Sequence, residues 1–569
     1  MTRHMKMKNK FLGVFLSSCL AVSVVGAFNA APSSAATTVA TVGGKCTTLL
    51  VQDYVNGNAL VCATNSNGTK VWTKYFTGGA GGTITIGIGA LPATLEAYAA
   101  SAPPRSYVVA AIYSGLTRVD LSTGTPILMP NAADSWAQEK GRPDVWVFNI
   151  IKGKEFPNGE PMNADAVKAS LDYVMNPKNN AGLRAKVLDI TKIEVASEYQ
   201  VKITTSAPRY LLPRTLSTIP ILPPKLFAEQ GAVTFWKTPI GTGPFKATSF
   251  TPGVQLTLEA NPYSLRVKPS ATKIIFKVIP EDSSRMAALR SGGVDVVTKV
   301  PTDSISILKS ANFDIKSIVE PATYIMSLMA KSGALSDKRV RQAFNYAVDK
   351  QALIDGINGG LGQVAEAQLI PKGLTGFCNS VTAFPYDLAK ANDLMKAAGI
   401  PKKSLNLTFQ SSTAYITNDV LMAQAISQML EKLDAVNSVK VEVLEFSKYL
   451  DVYYLRGAIP RKDLFAWRMS SSPDLDALVQ MERYTTGYPT SNIGYSNRNY
   501  DVAINAAAAL DVKSTARTSR LCKAAAILKE DAPILWGIHT PDIWAGNKAL
   551  ERLTVDAGGN IDLVSIGNK

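Results

Sequence analysis

Apolar and polar residues alternate over several short runs of this chain, while other runs repeat apolar residues at helical spacing. The clearest alternation covers residues 145–151 and is typical of a half-buried strand. The clearest helical pattern starts at Asp337, a residue type that caps helix N-termini. It then places Val340, Phe344 and Ala347 on one face. These patterns predict a strand at 145–151 and a helix at 337–358.

Weaker patterns of the same two kinds continue along the chain without a strict strand–helix–strand rhythm. They predict strands at 83–89, 192–204, 256–259, 273–279, 324–330, 405–409 and 439–444. They predict helices at 163–175, 283–292, 388–398, 417–432 and 514–530. The sequence therefore indicates a mixed α/β protein.

The N-terminus has the three parts of a secretory signal peptide. Four basic residues stand before position 11, residues 11–28 are uncharged and largely apolar, and small residues lead to Ala36. We predict a signal peptide at 1–36 and an exported protein of the cell envelope. An uncleaved membrane anchor and lipidation at Cys19 are the alternatives. The remaining chain of about 530 residues exceeds what one hydrophobic core serves, which predicts two or three lobes.

A small β unit and a linker follow the leader. Asn56-Gly57 and Asn67-Gly68 are hairpin turn signals between strand-like runs, which predicts a module at 42–75. The module resembles a short two-cysteine unit that stands before the main domain in some actinobacterial exported proteins. The glycines at 76–82 indicate a flexible linker, and the run lacks the lysine that a phosphate-binding loop needs.

Cysteine usage fits an exported chain. The four cysteines beyond the leader can pair in three ways, and we predict Cys46 with Cys62 and Cys378 with Cys522, because the first two share the small module. No Cys-x-x-Cys occurs, and His539 is the only histidine beyond the leader. We therefore expect neither a metal nor another cofactor.

The charge of the chain does not point to nucleic acid. The formal net charge is +15, and four of the basic residues lie in the leader. The other lysines and arginines are dispersed without a run of five, as on a solvated surface. Basic residues interleaved with aromatics in a known nucleic-acid-binding module are not visible. We expect no nucleic-acid partner.

Several short motifs occur in order along the chain. The most specific is residues 145–171, a strand followed by Lys-Gly-x-x-Phe, Asn-Gly and a helix start. The others are Ile-Tyr-Ser-Gly-Leu-Thr at 112–117, Gly-Thr-Gly-Pro-Phe at 241–245 with Asn-Pro-Tyr at 261–263, Leu-Arg-Ser-Gly-Gly-Val-Asp at 289–295, the helix at 337–353, Tyr-Asp at 386–387 and Ile-Leu-Lys-Glu-Asp-Ala-Pro at 527–533. Together these motifs resemble those of the family 5 extracellular solute-binding proteins, the dipeptide, oligopeptide and nickel receptors of ABC importers.

The resemblance implies a two-lobed, periplasmic-binding-protein-like α/β fold of the large three-subdomain type. It implies a first lobe at 83–279 with an inserted subdomain at about 118–222, a second lobe at 280–540, and a return to the first lobe at 541–569. It also implies a monomeric receptor that closes around a peptide or similar small polar solute and delivers it to ABC permease subunits. Such a receptor is not an enzyme.

The resemblance also implies which residues line the ligand cleft. The family's Trp-x-x-Asp-x-x-Asp-Pro segment corresponds here to Trp-Arg-Met-Ser-Ser-Ser-Pro-Asp at 467–474, which is one residue shorter and carries serines where the acids stand. A buried ammonium without a carboxylate partner is costly, so hydroxyls and an arginine suit a sugar, an anionic group or a peptide held differently. The predicted ligand residues are Tyr113, Ser114, Tyr324, Trp467, Arg468, Ser470, Ser471, Ser472 and Asp474.

Two other functional classes remain as alternatives. A secreted hydrolase would need a nucleophile motif, and the nearest approach to Gly-x-Ser-x-Gly, at 494–498, lacks the second glycine. A Ser-His-Asp triad would also depend on His539 alone. The small module at 42–75 suggests a cell-surface carbohydrate-binding or adhesion protein as the second alternative.

Overall fold

The fold is described from a computed structural model. It describes residues 51–55, 58–64, 70–74, 81–99, 105–121, 126–265, 268–331, 333–412, 418–453, 460–470, 475–488, 493–556 and 558–568. The predicted signal peptide, Cys46 and both predicted Asn-Gly turns of the small module lie outside these ranges.

The strands form three large sheets and one small N-terminal sheet. In spatial order, the seven-stranded sheet contains Phe245–Thr251, Gln255–Ala260, Lys273–Val278, Thr83–Ile88, Val296–Val297, Pro541–Asn547 and Phe313–Val319. The five-stranded sheet contains Val436–Leu444, Leu405–Ser412, Leu464–Ser470, Ala322–Leu328 and Ile534–Trp536. The four-stranded sheet contains Ala133–Glu139, Arg142–Ile150, Gln200–Thr205 and Ile190–Ser197.

The remaining strands are short pairs and the N-terminal sheet. Val51–Val55, Asn58–Thr64 and Lys70–Lys74 form an antiparallel three-stranded sheet. Two-stranded pairs join Thr117–Asp120 to Ile127–Pro130, Gln363–Val364 to Ile538–His539, and Leu550–Glu551 to Gly567–Asn568.

Helices cover the faces of these sheets. The α-helices are Arg105–Ile112, Ala164–Met175, Leu212–Thr215, Pro224–Phe235, Asp282–Arg290, Ser304–Ser310, Lys338–Ala347, Lys350–Ile357, Leu388–Ala397, Asp419–Leu430, Phe446–Tyr453, Ala477–Met481, Arg498–Ala508 and Thr515–Asp531. Short 3₁₀ turns are Pro177–Asn179, Arg184–Lys186, Leu216–Thr218, Gly333–Ser336 and Glu482–Tyr484. No helix among the described residues combines the length and apolar character required to span a bilayer.

Hydrophobic packing divides the chain between the sheets. One core joins the seven-stranded and four-stranded sheets, with Ile86, Phe148 and Phe276 fully buried. Two further cores lie on opposite faces of the five-stranded sheet, and they include Trp467 on one face and Phe344 on the other. The fold is therefore an α/β architecture with separate cores around separate sheets.

Polar side chains start several helices where the sequence predicted them. Asn163 accepts a hydrogen bond from the Ala166 amide at 3.1 Å, and Asp387 accepts one from the Lys390 amide at 2.9 Å. Both side chains satisfy an amide that has no partner within the first turn of its helix.

Two predicted elements are divided in the structure. The predicted helix at 337–358 is two helices, because Val348 is extended and Asp349 caps the second helix by accepting from the Ala352 amide at 3.0 Å. The buried Lys350 ammonium donates to the carbonyl of Asn345 at 2.8 Å and stabilises the break. The predicted strand at 192–204 is a hairpin that turns at residues 198–199.

The strand pairing shows how far the chain stays in the seven-stranded sheet. Val296–Val297 pairs with Thr83–Ile88, and Phe313–Val319 pairs with Pro541–Asn547. The chain therefore leaves the seven-stranded sheet only after Val319 and returns to it at Pro541. The lobe bounds at 279/280 and 540/541 stay predictions.

The disulfide prediction is confirmed for one pair. Cys378 is bonded to Cys522, which ties the loop after residue 371 to the helix Thr515–Asp531. Cys62 lies in a strand, where its backbone pairs with Trp72. The partner Cys46 is outside the described residues, so the Cys46–Cys62 bridge stays a prediction.

Candidate ligand-binding site

Two chain crossings connect the seven-stranded sheet to the five-stranded sheet. The first runs from Phe313–Val319 through Glu320 and Pro321 into Ala322–Leu328. The second runs from Ile538–His539 through Thr540 into Pro541–Asn547. The Glu320 amide donates to the Thr540 carbonyl at 2.9 Å, so the two crossings lie side by side.

A buried charge cluster holds the crossings on the side of the seven-stranded sheet. The Lys299 ammonium lies 2.6 Å from the Glu320 carboxylate and 3.1 Å from the Asp542 carboxylate. The Thr540 hydroxyl donates to the second Glu320 oxygen at 3.1 Å. Ion pairs with both partners and hydrogen bonds in place keep buried charges in fixed positions.

On the side of the five-stranded sheet, a neutral histidine holds the crossings. His539 Nδ1 lies 3.0 Å from the Ala322 carbonyl oxygen and 3.2 Å from the Thr323 hydroxyl. Burial lowers the pKa of His539 to about 4, so the ring is uncharged at neutral pH. Both contacts are made within the crossing, and neither partner is a serine or an acid.

Four predicted ligand residues come together directly after the first crossing. Tyr324 is two positions into the strand Ala322–Leu328, and its backbone pairs with Arg468 of the neighbouring strand. Trp467 pairs with Ile325, and Ser470 pairs with Ala322. The strand pairing therefore places four predicted ligand residues near the ends of two neighbouring strands, beside the first crossing: Tyr324, Trp467, Arg468 and Ser470.

The Trp467 side chain lies in one core of the five-stranded sheet. Its ring centroid is 5.0 Å from that of Tyr453, and the residue is 2% exposed. Its indole N–H has no acceptor among the described residues. A buried donor without an acceptor costs roughly 1–3 kcal/mol, which a bound acceptor would recover.

Tyr324 lies on the opposite face of the same sheet. Its hydroxyl is buried and interacts with the Ser411 hydroxyl. Burial, assisted by the nearby Asp419 carboxylate, raises the pKa of Tyr324 well above its usual value. The phenol is therefore a neutral donor.

Tyr113 and Ser114 lie in the part of the chain that shares the core of the seven-stranded and four-stranded sheets, and their side chains form hydrogen bonds there. The Tyr113 hydroxyl donates to the Leu95 carbonyl at 2.8 Å, and the Ser114 hydroxyl donates to the Thr242 carbonyl at 2.9 Å. Both residues are almost fully buried. The structure does not bring these two residues together with Trp467, and their role at a ligand stays a prediction.

Two sequence motifs jointly hold the segment that carries Tyr113. A Cβ on Gly241 would lie 2.3 Å from the Ile112 carbonyl oxygen, and one on Gly243 would lie 2.5 Å from the Ala111 carbonyl oxygen. The Asn261 amide donates to the carbonyls of Gly241 and Gly243, each at 2.9 Å. The Gly-Thr-Gly-Pro and Asn-Pro motifs therefore fix the backbone, as glycines do where two chain segments approach closely.

The remaining predicted ligand residues are not among those that the structure describes. Ser471, Ser472 and Asp474 lie outside the described residues. In the part of the chain that the structure describes, no group of three or more histidine, cysteine or acidic side chains is arranged to hold a metal ion.

Sequence reasoning missed two buried ion pairs near this segment. Asp476 pairs with Arg517 at 2.8 Å, and Arg209 pairs with Glu482 at 3.3 Å. Their partners are 41 and 273 residues apart in sequence, so no local pattern indicates either pair.

Several known proteins are similar to this chain in sequence or in fold. The family model described as "Bacterial extracellular solute-binding proteins, family 5 Middle" matches residues 128–492. A putative ABC transporter peptide-binding protein of Brucella ovis is 27% identical over 328 residues, which is 55% of this chain. The match spans 60% of that relative's length.

Two solved structures have the same fold. The ABC transporter-associated periplasmic binding protein DppA from Helicobacter pylori, in complex with the peptide STSA, has a TM-score of 0.75 and 20% identity over 85% of this chain and 98% of its own. The binding protein AgaA from A. tumefaciens R10, in complex with agropinic acid, has a TM-score of 0.76 and 21% identity over 86% and 99%. This chain therefore has a periplasmic-binding-protein fold.

Proposed function

Because the chain belongs to the bacterial extracellular solute-binding proteins of family 5, we propose that it is the solute-capturing receptor of an ABC importer. It encloses a peptide or similar small polar solute between two lobes and presents it to membrane permease subunits. The lobes correspond to the parts built on the seven-stranded and five-stranded sheets.

One observation carries the proposal: the chain crosses between the two sheets twice, and predicted ligand residues stand next to the crossings. Two neighbouring strands form a narrow connection about which two rigid bodies can rotate. A solute that contacts both bodies does so only when they are closed, so binding stabilises the closed state by its difference in affinity for the two states. A permease can then distinguish loaded receptor from empty receptor.

The side chains at this edge support a polar solute. The indole N–H of Trp467 is a buried donor without an acceptor among the described residues. It would be satisfied by an oxygen of a solute or of an ordered water. The relatives named above bind a peptide in one case and agropinic acid in another. We propose a peptide or a comparably polar small molecule for this chain.

The family indicates the compartment in which the protein acts, and the N-terminal sequence suggests how the protein is exported. Family members are extracytoplasmic binding proteins, as the family description states. We propose that residues 1–36 direct export and that the mature protein is monomeric. Cleavage after Ala36, retention of the leader as an anchor and lipidation at Cys19 each give a distinct mature mass.

Native mass spectrometry of the protein purified from its own cell tests both proposals at once. The protein mass reports how the N-terminus was processed, and gentle activation releases any retained solute for identification. A retained peptide or small polar molecule is the expected result. Hydrolysis of a peptide or oligosaccharide by the purified protein would contradict the receptor assignment.

A pair of matched tryptophan variants tests the site. Trp467 and Trp536 lie in the same core, both flank Ile325 in the strand pairing, and both indole N–H groups have no acceptor among the described residues. We expect Trp467→Phe to weaken binding of the retained solute by about 5- to 100-fold, a loss typical of an unpaired polar contact. Trp536→Phe should leave the affinity near wild type, and equal losses in both variants would contradict the placement.

A further inference from the structure

A short segment of the first lobe reaches the core of the second. It follows the four-stranded sheet and includes Arg209, Tyr210 and Leu211. The Trp146 indole donates to the Arg209 carbonyl at 3.0 Å, which fixes the segment to the four-stranded sheet. Leu211 is buried in the same core as Trp467, whereas the next residue, Leu212, is buried in the core of the seven-stranded and four-stranded sheets. The segment therefore joins two cores that the crossings connect elsewhere.

Polar contacts reinforce this junction. The Arg209 guanidinium lies 3.3 Å from Asp189 of its own lobe and 3.3 Å from Glu482 of the other. The Tyr210 amide donates to the Ala508 carbonyl at 3.4 Å, again between the lobes. The side chains of Arg209 and Glu482 are each 18% exposed, so the pair is partly protected from solvent.

The junction is connected to the candidate site through side-chain contacts. Glu482 is followed by Arg483, whose guanidinium donates to the Tyr453 hydroxyl at 3.1 Å. The Tyr453 ring lies 5.0 Å from the Trp467 ring. A displacement of Glu482 can therefore be transmitted to Trp467 through the backbone of Arg483 and then through the Arg483–Tyr453 and Tyr453–Trp467 contacts.

We propose that Arg209 and Glu482 form an interlobe latch that sets the population of the closed receptor. In this latch, Asp189 orients the Arg209 guanidinium and Glu482 pairs with it from the other lobe. The buried Leu211 side chain shields the contact from solvent. The latch acts on solute affinity without touching solute, because affinity scales with the fraction of receptor that is already closed. Its functional consequence rests on the proposed receptor function, whereas the latch itself can be measured without a solute.

The chemistry of the pair predicts a specific pattern of variants. Removing Arg209 leaves the Glu482 carboxylate partly buried without its counter-ion, and this charge is better hydrated when the lobes are apart. Removing Glu482 leaves Arg209 paired with Asp189 of its own lobe alone, so the attraction between the lobes is lost. Removing both Arg209 and Glu482 eliminates the unpaired Glu482 charge. Single replacements should therefore open the protein, and the double replacement should open it less than the sum of the two.

The test compares Arg209→Met, Glu482→Met and the double variant with wild type, all stripped of solute by denaturation and refolding. Small-angle X-ray scattering reports the radius of gyration, and hydrogen exchange reports the Tyr210 amide. We expect each single variant to enlarge the radius and to accelerate Tyr210 exchange by roughly 2- to 150-fold, the range of coupling between contacting residues. Arg209→Lys, which keeps the charge, should give a smaller change.

Arg142→Met is the control, because Arg142 pairs with Asp144 at 2.8 Å within the four-stranded sheet and its side chain is 56% exposed. It should change neither measurement. An unchanged radius and unchanged Tyr210 exchange in Arg209→Met would overturn the latch, as would an equal response in Arg142→Met. Circular dichroism checks that each variant is folded.

A tryptic digest of casein, added as a mixed peptide probe, separates the latch from the receptor function. Suppose that the digest reduces the radius of gyration of wild type, and that Arg209→Met without the digest has the same radius as wild type; the latch is then wrong and peptide capture stands. Suppose instead that the digest reduces the radius of neither protein, and that Arg209→Met has a larger radius than wild type; the latch then stands and peptide capture is wrong.

Discussion

Replacing Asp476 with asparagine should strongly destabilise the lobe built on the five-stranded sheet. Asp476 and Arg517 are 0% and 1% exposed in their side chains, and Asp476 Oδ1 lies 2.8 Å from Arg517 Nη2. The same oxygen accepts from the Leu478 amide at 2.9 Å and caps the helix Ala477–Met481. Asparagine keeps an oxygen for the cap but removes the negative charge.

The expected loss follows from leaving Arg517 charged and buried without a counter-ion. Breaking a buried pair in this way costs about 3–5 kcal/mol, whereas loss of a helix cap alone costs about 1 kcal/mol. The structure around the pair offers little room for rearrangement: the Ala477 amide donates to the Thr375 carbonyl at 2.9 Å, and the nearby Cys378 is bonded to Cys522 of the same helix as Arg517. We therefore expect the full penalty.

Urea unfolding at pH 7, followed by circular dichroism and tryptophan fluorescence, measures the change. A double variant, Asp476→Leu with Arg517→Met, should recover much of the lost stability, because no unpaired charge remains. Asp434→Asn is the matched control: Asp434 pairs with Lys402 at 2.9 Å, but the side chains are 55% and 81% exposed, so no measurable change is expected. A loss below about 1 kcal/mol for Asp476→Asn would refute the reasoning.

Three further predictions concern stability. Cys378→Ser with Cys522→Ser should lower the unfolding free energy by about 2–4 kcal/mol, seen as a lower melting temperature that dithiothreitol no longer changes. Gly243→Ala should cost at least about 3 kcal/mol, because its Cβ would lie 2.5 Å from the Ala111 carbonyl oxygen; Gly356→Ala, with open space at Cβ, should be neutral or stabilising in thermal melts. His539 has a pKa lowered from 6.5 to about 4 in the folded state, so its contribution is present above pH 6.5 and is lost as the pH falls to 4, by roughly 3 kcal/mol. His539→Gln should remove that part of the pH dependence, and an unchanged pH profile would contradict this assignment.

Local sequence patterns predicted about half of the α-helices and strands, because each of those elements buries one face. The helix at 388–398 and the strand at 405–409 were found in this way, and the structure has them at Leu388–Ala397 and Leu405–Ser412. The single helix predicted at 337–358 was wrong because the apolar spacing gives no sign that Lys350 is buried. Its ammonium instead donates to buried carbonyls, including that of Phe384, a residue distant in sequence.

Residues whose partners are distant in sequence were harder to predict. Tyr324 and Trp467 could be singled out only because motifs around them resemble a family, and the strand pairing then placed them in adjacent strands. Arg209 and Glu482 belong to no motif, and their contact depends on how two separately folded cores meet. The lobe boundary at 279/280 stays a prediction, and a strand of two residues such as Val296–Val297 gives no periodicity from which the sequence could extend the first sheet beyond it.

The two sets of contacts around the crossings indicate where the chain can bend. Lys299 ties Glu320 to Asp542 on one side, and His539 contacts Ala322 and Thr323 on the other. Bending that kept both sets intact would be confined to Pro321 and to the link between His539 and Pro541. Proline has a fixed φ and no amide hydrogen, so Pro321 offers few ways to rotate and donates no backbone hydrogen bond. Arg209 and Glu482 belong to neither crossing, so the proposed latch would be a separate link that resists rotation about this pivot.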